Sequence, residues 1–286
     1  MPKFFIQSQI PIDETNIEIH NEDGRHIRNV LRMRIGENLV VCDSSGIDHN
    51  CAIESFEKDF VNARIISRLE SNNEPPFEIV VFQGLPKADK MEMIIQKCVE
   101  LGASRIVPVA CTRSIVKLTD RKDVEKKLVR WNKIAYEAAK QCSRSIIPEI
   151  QNPITFKESL NQLRKAEISF IPWECEDEYG LKAILKKAKD LLSNWQRNIN
   201  SNQTKGAIQR SGANEIIRTN ESIYKNIKVR KPRIAFVIGP EGGFDQDEII
   251  LAKLAGIDTV TLGKRILRTE TVAPVVLAMI LLETEL

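Results

Sequence analysis

The sequence predicts an α/β protein built from two regions: a small β-barrel carrying one helix, then a mostly parallel sheet covered by helices on both faces. Three observations predict it. Residues 1–70 hold short β-favouring runs, "FFIQ", "NLVVCD", "CAIESF" and "VNARII", broken by turn chemistry such as "DSSG" (43–46). "ESNNEPP" (70–76) is polar and ends in two prolines, as linkers do. From residue 77 the rhythm becomes strand then helix, repeatedly, as in parallel sheets buried on both sides. The expected domains are therefore 1–72 and 73–286.

Within the N-terminal region a single helix interrupts the strands near 22–33, "EDGRHIRNVLRM". Ile27, Val30 and Leu31 are spaced i, i+3, i+4 and are expected to face a core, with Arg25, Arg28 and Arg32 together on another face. In the C-terminal region "FEIVVFQG" (77–84) reads as a strand. "DKMEMIIQKCVELG" (89–102) reads as a helix, with Asp89 and Glu92 as a capping-box pair and Gly102 as its stop. "RIVPVA" is a strand and 121–143 a long helix; "TFKESLNQL" opens with the capping pair Thr155 and Glu158. "ISFIPW" is a strand, "WECEDEYG" (173–180) a solvated turn and helix start, and 179–192 are helical. "RIAFVIG" (233–239) is a strand, and "DQDEIILAKLAG" (245–256) a helix capped by Asp245 and Glu248. Strand 258–262 and helix 271–284 complete the series. Residues 194–231, rich in Asn, Ser, Gln and basic side chains, show no periodicity and are expected to form a flexible insertion.

A chain of 286 residues, 42% apolar, suffices for one large domain or two ordinary ones with a sizeable core. The net charge of +3 is unevenly spread: residues 73–232 carry 29 basic against 19 acidic side chains, whereas 1–72 carry 8 against 12. A basic middle section fits a nucleic-acid face, and equally a set of solvated helix faces. Six cysteines with no C-x-x-C pair, and three histidines that add no ligand pair, offer no zinc site and point to reduced thiols in a cytosol. "MPKFFIQSQI" lacks the apolar core of a signal peptide, and the longest apolar run, 272–282, is about half of the ~20 residues a bilayer span needs. A cytoplasmic location without membrane contact is the expectation.

The chemistry concentrates near the C-terminus. "FVIGPEGGFDQDE" (236–248) is a strand, a glycine-rich turn and a capped helix start, which exposes backbone N–H groups to a ligand. It is neither a P-loop nor a G-x-G-x-x-G fingerprint. The next strand runs into "LGKRILRTET" (262–271), so both loops are expected after the carboxyl ends of neighbouring strands, where open α/β sheets bind ligands.

Together the two loops resemble the cofactor loops of SPOUT-class S-adenosylmethionine-dependent methyltransferases. Within that class the chain resembles the RsmE family, which methylates N3 of a uridine in small-subunit ribosomal RNA. "HIRNVLRMRIGE" (26–37), "KADKMEMIIQKCVELGASRIVP" (87–108), "TRSIVK" (112–117), "RWNKIAYEAAKQCSR" (130–144), "IGPEGGF" (238–244) and "LGKRILRTET" (262–271) match that family in order. Val272-Ala273-Pro274 and the length of the 194–231 insertion depart from its pattern without removing a motif residue.

The resemblance implies a PUA-like RNA-binding β-barrel (1–72), a trefoil-knotted α/β domain (73–286), and a homodimer with its active site near the subunit interface. It implies S-adenosyl-L-methionine as methyl donor, no metal, and a substrate that is either small-subunit ribosomal RNA or the assembled subunit. The adenine would lie among Leu262, Ile266 and Leu267, with Gly239, Gly242 and Gly263 letting the main chain approach closely and Pro240 also in contact with the cofactor. Arg268 and Glu270 would point into the cleft that the base enters. Uracil N3 is a poor nucleophile until its proton is lost, so the site must favour the anion. Arg268 is the expected electrostatic group, because a guanidinium stays charged and suits oxygen acceptors. Glu270 or Glu241 would take the proton, directly or through water. RNA contacts are expected from Arg25, Arg28, Arg32, Arg113, Lys117 and Arg144. Lys126, Lys127, Arg130 and Lys133 read as solvated surface and Trp131 as core. Two alternatives stay open: a ribose 2′-O-methyltransferase on the same scaffold, and a non-catalytic RNA-binding module.

Overall fold

The computed structural model describes residues 1–6, 15–43, 47–70, 73–116, 120–208 and 230–285, the side chains of 69, 70 and 200–208 excepted. The chain divides into two compact units: Met1–Glu74 with Asn132–Glu149, and Pro75–Trp131 with Ile150–Leu286.

In the first unit, β1 (Lys3–Phe5), β2 (Asn16–His20), β3 (Asn38–Cys42), β4 (Ile47–Phe56) and β5 (Phe60–Glu70) form a sheet in the order β1-β3-β4-β5-β2. The β1–β3 pairing is parallel and the other three are antiparallel. Alternation decides the inner face: in β2, Ile17 and Ile19 are buried while Asn16, Glu18 and His20 are not. They join Phe4, Leu39, Val41, Ile53 and Val61 in one apolar core.

The expected helix is there as α1 (Asn21–Arg25), but it continues as a π turn, His26–Val30. That widening corrects one expectation. Ile27 is fully buried, whereas Val30 is 66% and Leu31 41% exposed. A π turn adds a residue per turn, so positions i+3 and i+4 swing off the core face that 3.6-residue spacing assigns them.

The second unit contains β6 (Glu78–Gly84), α2 (Lys90–Glu100), β7 (Arg105–Ala110) and the start of α3 (Arg121–Gln141). Beyond β8 (Glu149–Ile150) and β9 (Ile154–Thr155) come α4 (Phe156–Leu163), β10 (Ile168–Pro172), α5 (Leu181–Ile208), β11 (Arg233–Ile238), α6 (Gln246–Leu254), β12 (Asp258–Val260) and α7 (Thr269–Thr284). The sheet order is β12-β10-β11-β6-β7-β8, with β9 also on β7. The pairings from β12 through β7, and β7 with β9, are parallel. Val80 and Phe82 pack with Phe156, Leu160, Ile249 and Ala252 of α4 and α6. Ile79 and Val81, pointing the other way, are equally buried, so both faces are covered. Helix α7 packs against both α2 and α5.

The capping boxes Thr155/Glu158 and Asp245/Glu248 both form. The Asp89/Glu92 box does not: Asp89 makes no side-chain cap, and the Glu92 carboxylate is taken by Arg130 at 2.7 Å. Gly102 stops α2 with φ +83°, as a left-handed C-terminal glycine does. Residues 194–208, expected within a flexible insertion, instead extend α5; the rest of that stretch up to 229 lies outside the described residues. No helix among the described residues is long and apolar enough to cross a membrane.

Candidate active site

Parallel strands β12, β10 and β11 stand side by side, so the loops leaving their carboxyl ends converge. The loops after β11 and β12 are the two anticipated from sequence, but their strands are not neighbours: β10 lies between them. A third loop, 173–180 after β10, therefore joins the site. Trp173, Glu174, Glu176 and Asp177 line a cleft of about 630 Å³ together with residues of the other two loops.

Gly239, Pro240 and Glu241 line the cleft from one side, and Leu262, Gly263, Ile266, Leu267, Arg268 and Glu270 from the other. Ile266 is 82% exposed, an apolar side chain held open to solvent at the cleft. Gly242 is not among the lining residues. It backs onto Arg113, whose guanidinium donates to the Gly242 carbonyl and to Asp245, each at 3.3 Å.

Buried polar groups stitch this arrangement. The Thr269 hydroxyl, at the start of α7, donates to the Gly239 carbonyl at 2.7 Å and accepts from Gln83 Nε2 at 2.9 Å. Gln83 is fully buried at the end of β6, and the same nitrogen donates to the Gly84 carbonyl at 3.1 Å. Gly84 must be glycine on steric grounds: a Cβ there would lie 2.7 Å from Pro240 N and 2.8 Å from the Ile238 carbonyl oxygen. Gly243 has φ +67°, and a Cβ would run into the Glu174 carboxylate.

The charged centre is Lys90, the first residue of α2. Its Nζ stands 3.1 Å from Glu241 Oε1 and 3.2 Å from Glu270 Oε2, so one ammonium joins carboxylates from two different loops. The Glu270 contact is an ion pair lacking hydrogen-bond geometry. Glu241 also accepts from the Lys87 backbone N–H at 3.1 Å. Glu241, though pushed up by burial, is held below the usual carboxylate range by its own backbone N–H, Lys90 and the Lys87 N–H. Glu270 is lowered first by its own backbone N–H, against burial, with the Lys90 and Arg268 cations adding. Lys90 is raised by Glu241 and then Glu270. At neutral pH this cluster is one ammonium between two ionised carboxylates.

The expected RNA contacts divide. Arg25 and Arg32 are exposed. Arg28 is half-buried, donating to the Glu57 carbonyl and lying 5.4 Å from the Phe56 ring centre. Arg113 is exposed beside the Gly242 turn. Lys117 lies outside the described residues. Arg144 is a correction: it is 3% exposed and pairs with Glu74 through Nη2 at 2.6 Å and Nε at 3.2 Å, so its fork is closed to a phosphate. Sequence reasoning missed Lys90, Gln83, Gly84, Thr269 and the 173–177 segment. Lys90 stood inside a quoted motif, but its acidic partners lie far off in the chain, so no local spacing marks it.

The RNA methyltransferase domain family matches residues 73–195 and 185–281, and the RNA methyltransferase PUA domain family matches 19–66. With the cleft above, these matches define the class: a SPOUT-type RNA methyltransferase, with a parallel-sheet α/β domain and a PUA domain. The chain is 32% identical over 290 residues to ribosomal RNA small subunit methyltransferase E of Bacillus subtilis, covering 100% of this chain and 98% of that one. It is 35% identical over 211 residues to the protein of the same name from Mesomycoplasma hyopneumoniae, covering 74% and 72%. A crystal structure of ribosomal RNA small subunit methyltransferase E from Neisseria gonorrhoeae bound to S-adenosyl methionine has a TM-score of 0.72 at 27% identity, covering 99% and 97%. The chain belongs to the ribosomal RNA small subunit methyltransferase E family.

Proposed function

We propose that the protein methylates N3 of a uridine in small-subunit ribosomal RNA, with S-adenosylmethionine as donor. The observation that carries the reading is the cleft in which "GPEGG" and "LRTET" face each other, with Arg268 and Lys90 beside Glu241 and Glu270. The donor fits that cleft. Its volume is within the range of about 300–1,000 Å³ usual for small-molecule sites. Leu262, Ile266 and Leu267 offer an apolar wall to an adenine ring, and Glu174, Glu176 and Asp177 offer carboxylates to a cationic molecule. When bound, S-adenosylmethionine supplies an electrophilic methyl group on sulfur.

The chain's own residues must do the rest. The Thr269–Gly239 bond fixes the two loops against each other, which sets the line between methyl and nucleophile. As N3 loses its proton, negative charge spreads to the flanking carbonyl oxygens, and Arg268 faces that charge with a permanent cation. Glu270 and Glu241 stand where the proton leaves, either to one of them or through water to solvent. Arg25, Arg32 and Arg113 grip phosphates, which positions the RNA without reading it. A second copy of the chain covers apolar side chains exposed on α6 and α7, Ile250, Leu251, Leu254 and Leu282, to complete a homodimer.

The test is mass mapping of ribosomal RNA from cells with and without the gene. Loss of one N3-methyluridine, restored by the intact gene and not by Arg268→Ala, is expected, with that variant folded and binding cofactor. Loss of a 2′-O-methyl nucleoside instead would shift the reading to ribose chemistry, and no change at all would leave an RNA-binding module.

A further inference from the structure

We propose that Lys90 is a second cationic member of the catalytic machinery, its ammonium donating to a carbonyl oxygen of the uracil being methylated. The inference rests on the N3 reading above and names a residue for it.

Three features carry it. First, the position is unfavourable for a purely helical lysine. Lys90 opens α2, where the helix dipole and free N–H groups repel a cation. Second, two carboxylates from different loops converge on its one nitrogen, at 3.1 and 3.2 Å, which fixes where the charge sits. Third, an ammonium has three N–H donors. The two glutamates engage at most two, so at least one remains, on a side chain that lines the cleft and is 28% exposed.

The other charged groups lining the cleft are Glu174, Glu176 and Asp177 after β10, and Lys264, Arg265 and Arg268 before α7. The ion pairs of Lys90 among the described residues are those with Glu241 and Glu270. Glu241 and Glu270 are thereby positioning residues for the ammonium. Both carboxylates stay ionised in these ion pairs, so the N3 proton goes through water to hydroxide of the solvent before the methyl moves. The N3–H electron pair stays on nitrogen and forms the N–CH3 bond. The S–CH3 bond breaks, and sulfur keeps that pair as a neutral thioether.

The test uses the full-length protein with small-subunit RNA or subunits from cells lacking the gene. Wild type, Lys90→Met and Lys90→Arg are compared in kcat, KM for RNA, cofactor affinity by calorimetry, and pH–rate profile. Lys90→Met is expected to lower kcat by roughly 100-fold, the scale of one lost charge-stabilising donor. KM and cofactor Kd should stay within about threefold, and the rising limb of the profile should move to higher pH, because the anion has lost a stabilising cation. Lys90→Arg should recover at least tenfold of the lost rate. A Lys90→Met kcat within threefold of wild type would overturn the proposal. So would equal losses in both variants with cofactor bound tenfold more weakly, the mark of a mere tether between loops. The wild-type product separates the two levels: no N3-methyluridine sinks the functional reading, whereas N3-methyluridine made equally well by Lys90→Met sinks this inference alone.

Discussion

Replacing Thr269 by valine removes one hydroxyl and keeps the side-chain shape, which isolates the stitch at the heart of the cleft. Thr269 is 6% exposed and its oxygen makes two bonds, to the Gly239 carbonyl at 2.7 Å and from Gln83 Nε2 at 2.9 Å. Valine leaves the Gly239 carbonyl and one Gln83 N–H without these partners. Gln83 keeps its 3.1 Å bond to the Gly84 carbonyl, so only a portion of its amide is orphaned; its Oε1 already lacks a partner. Each buried polar group left unpaired costs about 1–3 kcal/mol. For one carbonyl and half an amide the loss is about 2–4 kcal/mol, since the two share one oxygen and do not add fully. At about 2–4 °C per kcal/mol for a domain of this size, Tm falls by roughly 5–12 °C. The Gly239 turn loses its tether, so S-adenosylmethionine should bind about tenfold more weakly. The assay is a thermal melt paired with calorimetric titration of the cofactor, with Thr269→Ser as the control that restores the hydroxyl. A Thr269→Val protein melting within about 1 °C of wild type, with unchanged cofactor Kd, would refute the reasoning.

The remaining predictions follow from charges. Arg144→Ala should cost about 2 kcal/mol in urea unfolding by removing the cation from a largely buried Glu74 carboxylate, to which the Ser145 and Ile146 N–H groups still donate, yet leave the salt dependence of RNA binding as in wild type. Arg25→Ala with Arg32→Ala should weaken RNA binding and flatten log Kd against log salt by roughly 1.4, at about 0.7 per phosphate released from single-stranded RNA; an unchanged slope removes these two arginines from the site. The Lys90 cluster predicts a pH window. Glu241 and Glu270 are lowered on folding, so their stabilisation is present above the ordinary carboxylate range and fades as pH falls through their lowered values. Lys90 is raised, so its stabilisation is present at neutral pH and fades as pH rises through its raised value. Glu241→Gln with Glu270→Gln should therefore flatten the acid side of the stability–pH curve measured by urea unfolding. Superimposable curves for variant and wild type would refute this.

Much of the architecture was legible because local rules write it. Strand–helix alternation gave the parallel sheet, and two of three capping boxes formed as their spacing required, since a cap involves residues three apart. The third failed at Asp89 because a distant residue, Arg130, took the Glu92 carboxylate. Val30 and Leu31 were misplaced because π widening is not encoded in a 3.6-residue pattern. Arg144 read as a phosphate contact until Glu74 closed on it.

The sequence by itself determined which residues could carry chemistry: the glycine-rich turn at 238–244 and the Arg268–Glu270 segment, because loop and turn composition is a local property. Only the tertiary structure decided how they meet. It slid β10 between β11 and β12 and so brought the acidic 173–177 loop into the cleft; it also bonded Gln83 to Thr269 and set Lys90 against Glu241 and Glu270, all from segments far apart in the chain. Strand order and long-range pairing are set by how whole elements bury their faces, and no spacing along the chain records that.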